Sequence, residues 1–120
     1  MNRRLSNRLG ALALGAAALG ACSSASSGPA VDVISTGTEC SPATTAFTAG
    51  STRFRVVNKG SEATELYVTT TAGKVVGEVE NVGPGTSRTL VADLSAGEYR
   101  LTCKPGQTGD GIRRTITVTG

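Results

Sequence analysis

The sequence predicts an all-β domain, a sandwich or barrel of roughly seven or eight short strands. Short stretches rich in β-branched and aromatic residues recur at regular spacing beyond residue 31, separated by Gly, Pro or Asn. No window shows sustained helical periodicity. The segment Leu94–Tyr99 carries a Leu, a Gly and a Tyr at the spacing of a tyrosine corner, in which the phenol bonds back to the backbone and fixes the crossover between two sheets.

The strands follow one another with clear turn signals. They are predicted at 31–34, 52–57, 65–70, 75–82, 86–94, 97–103 and 113–119. Residues 40–47 are predicted to be irregular or extended because Pro42 interrupts them. Phe54 and Val56 alternate with arginines, which is typical of a half-buried strand with its apolar residues facing inward.

The N-terminus has the layout of a bacterial lipoprotein signal. Arg3, Arg4 and Arg8 precede an apolar run from Leu9 to Leu19, which is too short for a membrane-spanning helix of about 20 residues. The run closes with Leu19-Gly20-Ala21-Cys22, which resembles a lipobox. We therefore expect cleavage before Cys22 and lipidation of its thiol.

This signal sets the predicted organisation and location of the protein. Residues 1–21 are expected to be removed, 22–30 to form a flexible Ser-rich tether on acylated Cys22, and 31–120 to form one domain. The domain is then expected at the cell envelope, outside the cytoplasm, anchored to the membrane by the lipid.

Charge and composition exclude several function classes. Removal of 21 of the 120 residues takes three of the twelve basic residues, which leaves nine basic and nine acidic residues. A neutral domain with few aromatic residues gives no support to nucleic-acid binding. The sequence has no His, which excludes Ser-His-Asp and Cys-His catalysis and His-based metal ligation. We expect no enzymatic activity, no haem and no nucleotide.

Two cysteines remain within the predicted domain, and the sequence leaves two roles open for them. In an oxidising compartment Cys40 and Cys103 are expected to pair as a disulfide. As free thiolates they would instead be metal ligands, joined by carboxylates on the middle strands, Glu65, Glu78 and Glu80. The two roles compete, because a disulfide sulfur is a poor ligand.

Four segments together resemble the EfeO-like cupredoxin domain, the N-terminal domain of the extracytoplasmic component of the bacterial Efe iron-uptake system. They are Glu39–Pro42, Glu78–Gly85, Leu94–Gly106 and Gly109–Arg113. The resemblance covers about residues 31–120 and implies a cupredoxin-like Greek-key β-sandwich.

The resemblance also implies a metal site and partners. By position, the ligands would be Cys40, Cys103 and Glu65, with Glu78 or Glu80 as further candidates, and the ion would be copper or iron. The implied partners, besides the membrane, are an Efe-type permease or an imelysin-type iron-binding protein. The alternative to a metal-binding role is a structural or interaction module without metal, in which a Cys40–Cys103 disulfide holds a scaffold that docks such a partner. Full-length family members continue into a helical imelysin-type domain, so this chain is expected to be a stand-alone lipoprotein or a truncated paralogue.

A type 1 copper centre is excluded by the sequence itself. Such a centre needs two His and one Cys, usually with a weak axial Met. The residues after Cys103 run Lys-Pro-Gly-Gln-Thr-Gly-Asp and supply no imidazole. The protein is therefore not expected to be a blue-copper electron carrier.

Overall fold

The computed structural model describes residues 28–120, which form two packed β-sheets. The strands are β1 Val31–Ser35, β2 Cys40–Pro42, β3 Ala46–Thr48, β4 Gly50–Asn58, β5 Thr64–Thr70, β6 Val75–Val82, β7 Ser87–Leu94, β8 Gly97–Cys103 and β9 Ile112–Thr119. One 3₁₀ turn, Pro105–Gln107, lies between β8 and β9. None of the helices in this part of the chain is long and apolar enough to cross a membrane.

The strands divide into a four-stranded and a five-stranded sheet. The first has the order β2-β1-β4-β7 and the second β3-β9-β8-β5-β6. Most neighbours are antiparallel, but β1 pairs with β4, and β3 with β9, in parallel. The chain crosses repeatedly from one sheet to the other, so residues distant in sequence meet at each end of the sandwich.

The core lies between the sheets and follows the alternation of each strand. Its largest fully buried side chains include Phe54, Leu66, Leu101, Ile116, Val33 and Val56. Phe47 packs at the margin of this core, with its ring centroid 5.4 Å from that of Phe54. The predicted inward positions of Phe54 and Val56 on β4 are confirmed.

The predicted all-β sandwich is confirmed, but the predicted count of strands is too low. The described residues contain nine strands, because 40–47, predicted as one irregular or extended stretch, holds most of two three-residue strands. β2 is secured by backbone pairing of Cys40 with Ser35, and β3 by pairing of Phe47 with Val118. The partner of β3 is far away in sequence, so local sequence could not indicate that strand, whereas β2 is the return strand of a short hairpin from β1.

The predicted tyrosine corner is present before β8. Tyr99 is buried, and its hydroxyl donates a 2.9 Å hydrogen bond to the carbonyl oxygen of Ser95. The bond spans the connection between β7 of the four-stranded sheet and β8 of the five-stranded sheet. The corner therefore fixes the crossover, as the sequence predicts.

The predicted signal at 1–21, lipidation of Cys22 and most of the tether at 22–30 lie outside the described residues. They stay predictions.

Candidate functional site

The two cysteines of the predicted domain are joined to each other. Cys40 begins β2 and Cys103 ends β8, and their Cα atoms are 5.5 Å apart across the disulfide. Both residues are fully buried. Because β2 and β8 belong to different sheets, the bond ties the two layers together at one end of the sandwich. The disulfide alternative is thus confirmed for this form of the protein.

The loop that follows Cys103 lies firmly against the five-stranded sheet. The backbone NH of Lys104 donates to the carbonyl of Glu65 at 3.0 Å, and that of Gly106 to the carbonyl of Ala63 at 2.8 Å. Gly106 has φ 75°, a left-handed conformation that glycine adopts without strain. The Gln107 side-chain oxygen accepts a 3.1 Å bond from the Asn81 backbone NH. The loop is therefore preorganised rather than loosely attached.

A buried polar network fills the same end of the sandwich. The Asn58 amide donates to the carbonyls of Glu62 and Val82 at 2.7 and 2.8 Å, and its oxygen accepts from the Gly60 NH at 2.9 Å. With three hydrogen bonds, the buried amide is largely satisfied, which removes most of the cost of its burial. The network and the disulfide together make this end rigid.

The predicted ligands divide between the two faces of the five-stranded sheet. On β5, Leu66 pairs in register with Cys103 and is fully buried, whereas its neighbour Glu65 is half-buried on the outer face. Within residues 28–120 no three His, Cys, Asp or Glu side chains lie close enough together to hold a metal ion. Glu65 and the cysteines do not converge, because adjacent strand residues point to opposite faces.

Two of the predicted glutamates instead meet at a tyrosine. The Tyr67 hydroxyl lies 3.0 Å from a carboxylate oxygen of Glu65 and 3.2 Å from one of Glu80, and it donates its proton between them. Glu78 is the cross-strand partner of Tyr67 on β6. Burial of the phenol and its hydrogen bonds to the carboxylates raise the pKa of Tyr67 to about 12. Lys104 places its Nζ 5.0 Å from the centre of the Tyr67 ring.

Sequence reasoning did not single out Tyr67 as a site residue. A signal was present, since Glu65 and Tyr67 are two residues apart and share one face of a strand. Glu80 reaches the same face because β6 pairs with β5 in a register that sets Glu78 opposite Tyr67, and Glu80 lies two residues further along β6. Nearby Asn81 has φ 56°, an uncommon conformation outside glycine.

The fold and the sequence together define the class of protein. The family model described as "Cupredoxin-like domain" matches residues 9–118, and the chain belongs to that family. Two solved structures share the fold: a dithionite-reduced auracyanin from Roseiflexus castenholzii and the azurin Az-iso2 from Methylomonas sp. strain J. The auracyanin has a TM-score of 0.57 at 16% identity over 74% of this chain and 95% of its own. The azurin has a TM-score of 0.58 at 12% identity over 78% of this chain and 100% of its own.

Among individual proteins, the chain is similar to the iron uptake system component EfeO. The chain is 39% identical over 75 residues to EfeO of Escherichia coli strain K12, which covers 62% of this chain and 20% of that protein. EfeO of Shigella flexneri gives the same values. The chain therefore spans about a fifth of the length of the curated relatives it matches. The resemblance noted from the sequence is confirmed.

The residues present do not fit the copper centre that the cupredoxin fold brings to mind. A trigonal His₂Cys site needs two imidazoles, and the sequence has none. Cys103 precedes the loop between the last two strands, but its sulfur is bonded to Cys40. The residues of this protein therefore cannot form a type 1 copper site.

Proposed function

We propose that this protein is a lipid-anchored, extracytoplasmic component of an iron uptake system, and that its disulfide-bonded domain is a non-enzymatic docking module. Its partner would be a membrane permease or a separate imelysin-type iron-binding protein. Similarity to EfeO and the lipobox at Leu19–Cys22 support the system and the location.

The buried disulfide is the observation that carries the docking role. The bond uses both thiols of the domain and ties the two sheets at the end where the loop after Cys103 is seated. A rigid end presents the same surface at all times, which lowers the entropy lost on binding. A closed disulfide is also a poor metal ligand, so a resident ion is not needed for this role.

The anchor is tested by labelling cells with a fatty acid. The wild-type chain is expected to take up the label and to fractionate with membranes, whereas Cys22→Ala is expected to lose both properties. The matched control is the Cys40→Ala/Cys103→Ala variant, which should keep its lipid. Equal labelling of wild type and Cys22→Ala would refute the anchor.

Docking is tested directly with purified partners. The lipidated chain in nanodiscs is titrated with an Efe-type permease reconstituted in the same discs and, separately, with an imelysin-type iron-binding protein. Saturable binding to one of them is expected, and reduction of the Cys40–Cys103 bond should weaken it. Absence of saturable binding to both partners would overturn the docking role.

A metal-binding role is the second candidate, and the proximity of the two cysteines favours it for the reduced protein. Cys40 and Cys103 would present two adjacent soft thiolates, which select Cu(I) over hard ferric iron. Glu65, Glu80 and the Tyr67 oxygen form a separate group of hard donors that suits iron better.

Titration of the oxidised and reduced domain with Cu(I) and with iron separates these roles. Copper is expected to bind only the reduced form and to be lost in Cys40→Ser/Cys103→Ser. Iron binding, if it uses the oxygen donors, should survive that variant and be lost in Glu65→Gln/Glu80→Gln. If every variant binds each ion as the wild type does, the metal role is lost.

A further inference from the structure

A groove crosses the outer face of the five-stranded sheet, on the side away from the core. Its cavity of about 370 Å³ is lined by Arg100, Thr102, Lys104, Arg113 and Tyr67, among other residues. This volume falls within the range of small-molecule sites, about 300–1,000 Å³. The groove lies between the β5–β6 hairpin, at Gly73, and the loop around Gly109.

Strand register brings three cations to this groove. Arg100 and Lys104 lie on one face of β8 and its extension, on either side of Thr102. Thr102 pairs with Arg113 on β9, which makes Arg113 the diagonal neighbour of Arg100. Long side chains at diagonal positions reach one another, and like charges there repel. The groove therefore brings three positive charges close together.

Tyr67 contacts both the glutamates of this face and one of these cations. Its hydroxyl contacts Glu65 and Glu80, whereas its ring carries Lys104. Within residues 28–120 the one salt bridge joins Arg55 to Asp32. None of the three cations in the groove therefore has a carboxylate oxygen within 4.0 Å.

The imbalance is local, because the predicted mature chain has equal numbers of acidic and basic residues. One carboxylate, that of Asp110, lines the groove, against three cations. The hydroxyls of Thr69 and Thr102 add neutral donors at its floor.

We propose that this groove binds a small multivalent oxyanion, a free polycarboxylate or a phosphate compound. The two guanidinium groups would hold its oxygens by charge-assisted, bidentate hydrogen bonds, and the Lys104 ammonium would add a third charge. The threonine hydroxyls would contact the remaining oxygens, and the Tyr67 ring would form one wall. The proposal is independent of the iron-uptake role, because it uses neither the cysteines nor the glutamates as ligands.

The test is calorimetric titration of residues 22–120 at low ionic strength, with citrate as the polycarboxylate and pyrophosphate as the phosphate. We expect saturable binding of at least one probe with one-to-one stoichiometry, weakening as salt is added. The tighter probe identifies the chemical class. Arg100→Ala/Arg113→Ala should weaken binding at least about tenfold, the loss expected for one charge-assisted hydrogen bond or more.

Matched controls distinguish a site from general attraction. Arg53→Ala/Lys59→Ala removes the same charge elsewhere and should leave the affinity unchanged, whereas Asp110→Asn should tighten binding. All the substituted side chains are at least partly exposed, and unchanged circular dichroism and Tm would confirm that each variant folds. Failure of both probes to saturate, or an equal loss in the Arg53/Lys59 control, would overturn the proposal.

Discussion

Removal of the Cys40–Cys103 bond is expected to cost the domain a large part of its stability. The bond closes a chain segment with a sequence separation of 63. In the chain-entropy model, a loop of that length contributes about 4 kcal/mol to the free energy of unfolding. The total free energy of unfolding of a native protein is about 5–15 kcal/mol, so the loss would be a sizeable fraction of this domain's stability. At roughly 4–8 °C of Tm per kcal/mol, the corresponding fall in Tm is about 15–30 °C.

The assay is equilibrium urea unfolding of the wild type and of Cys40→Ala/Cys103→Ala. Alanine is preferred to serine because both positions are fully buried, and an unpaired hydroxyl there would add its own cost. The wild type under reductant should approach the variant, while reductant should leave the variant unchanged. A loss below about 1 kcal/mol, with mass spectrometry showing a bridged wild type, would refute the entropic reasoning.

Three further predictions concern single residues. Tyr99→Phe removes the corner hydrogen bond and should lower the free energy of unfolding by about 1 kcal/mol in urea; an unchanged midpoint would show that the corner is dispensable. Tyr67 should ionise with a pKa of about 12 in a phenolate absorbance titration, and Glu80→Gln should lower it. Folding raises this pKa from 10.0, so the protonated phenol contributes to the free energy of unfolding. That contribution should be fully present below pH 10 and be lost as the pH rises through about 12; a measured pKa near 10 would contradict this. Gly111→Ala should destabilise more than Gly109→Ala, because both have positive φ but only at Gly111 would a Cβ meet backbone, at 2.7 Å; equal Tm values would contradict the clash.

The local features of the fold could be read from residue order alone. Alternation on β4 placed Phe54 and Val56 inside, and the spacing before Tyr99 indicated the corner. The pairing of Cys40 with Cys103 was one of two roles that the sequence left open, because composition and compartment favour a bridge but do not fix a distance. The predictions for β4 and for the corner depended on periodicity and on residue type, both of which are local.

The candidate site was harder to predict because it depends on contacts between strands. Glu65 was grouped with the cysteines because it is a carboxylate on a middle strand and because of the resemblance to the EfeO-like domain. Its side chain lies on the opposite face of β5 and contacts Tyr67 instead. Glu80 joins that contact through the register of β6 against β5, which no local pattern indicates. The three-residue strand β3 exists for the same reason, since the distant strand β9 supplies its hydrogen bonds.

By itself, the sequence determined the all-β class, the apolar face of most strands, the lack of an imidazole for a type 1 copper centre and the lipobox-like N-terminus. Only the tertiary structure decided that the cysteines are bonded, that two glutamates share the Tyr67 hydroxyl and that Arg100 and Arg113 meet across one groove. The reason is physical. Alternation along a strand fixes the face of each side chain, but strand order and register, which residues far apart in sequence create, decide which side chains meet on that face.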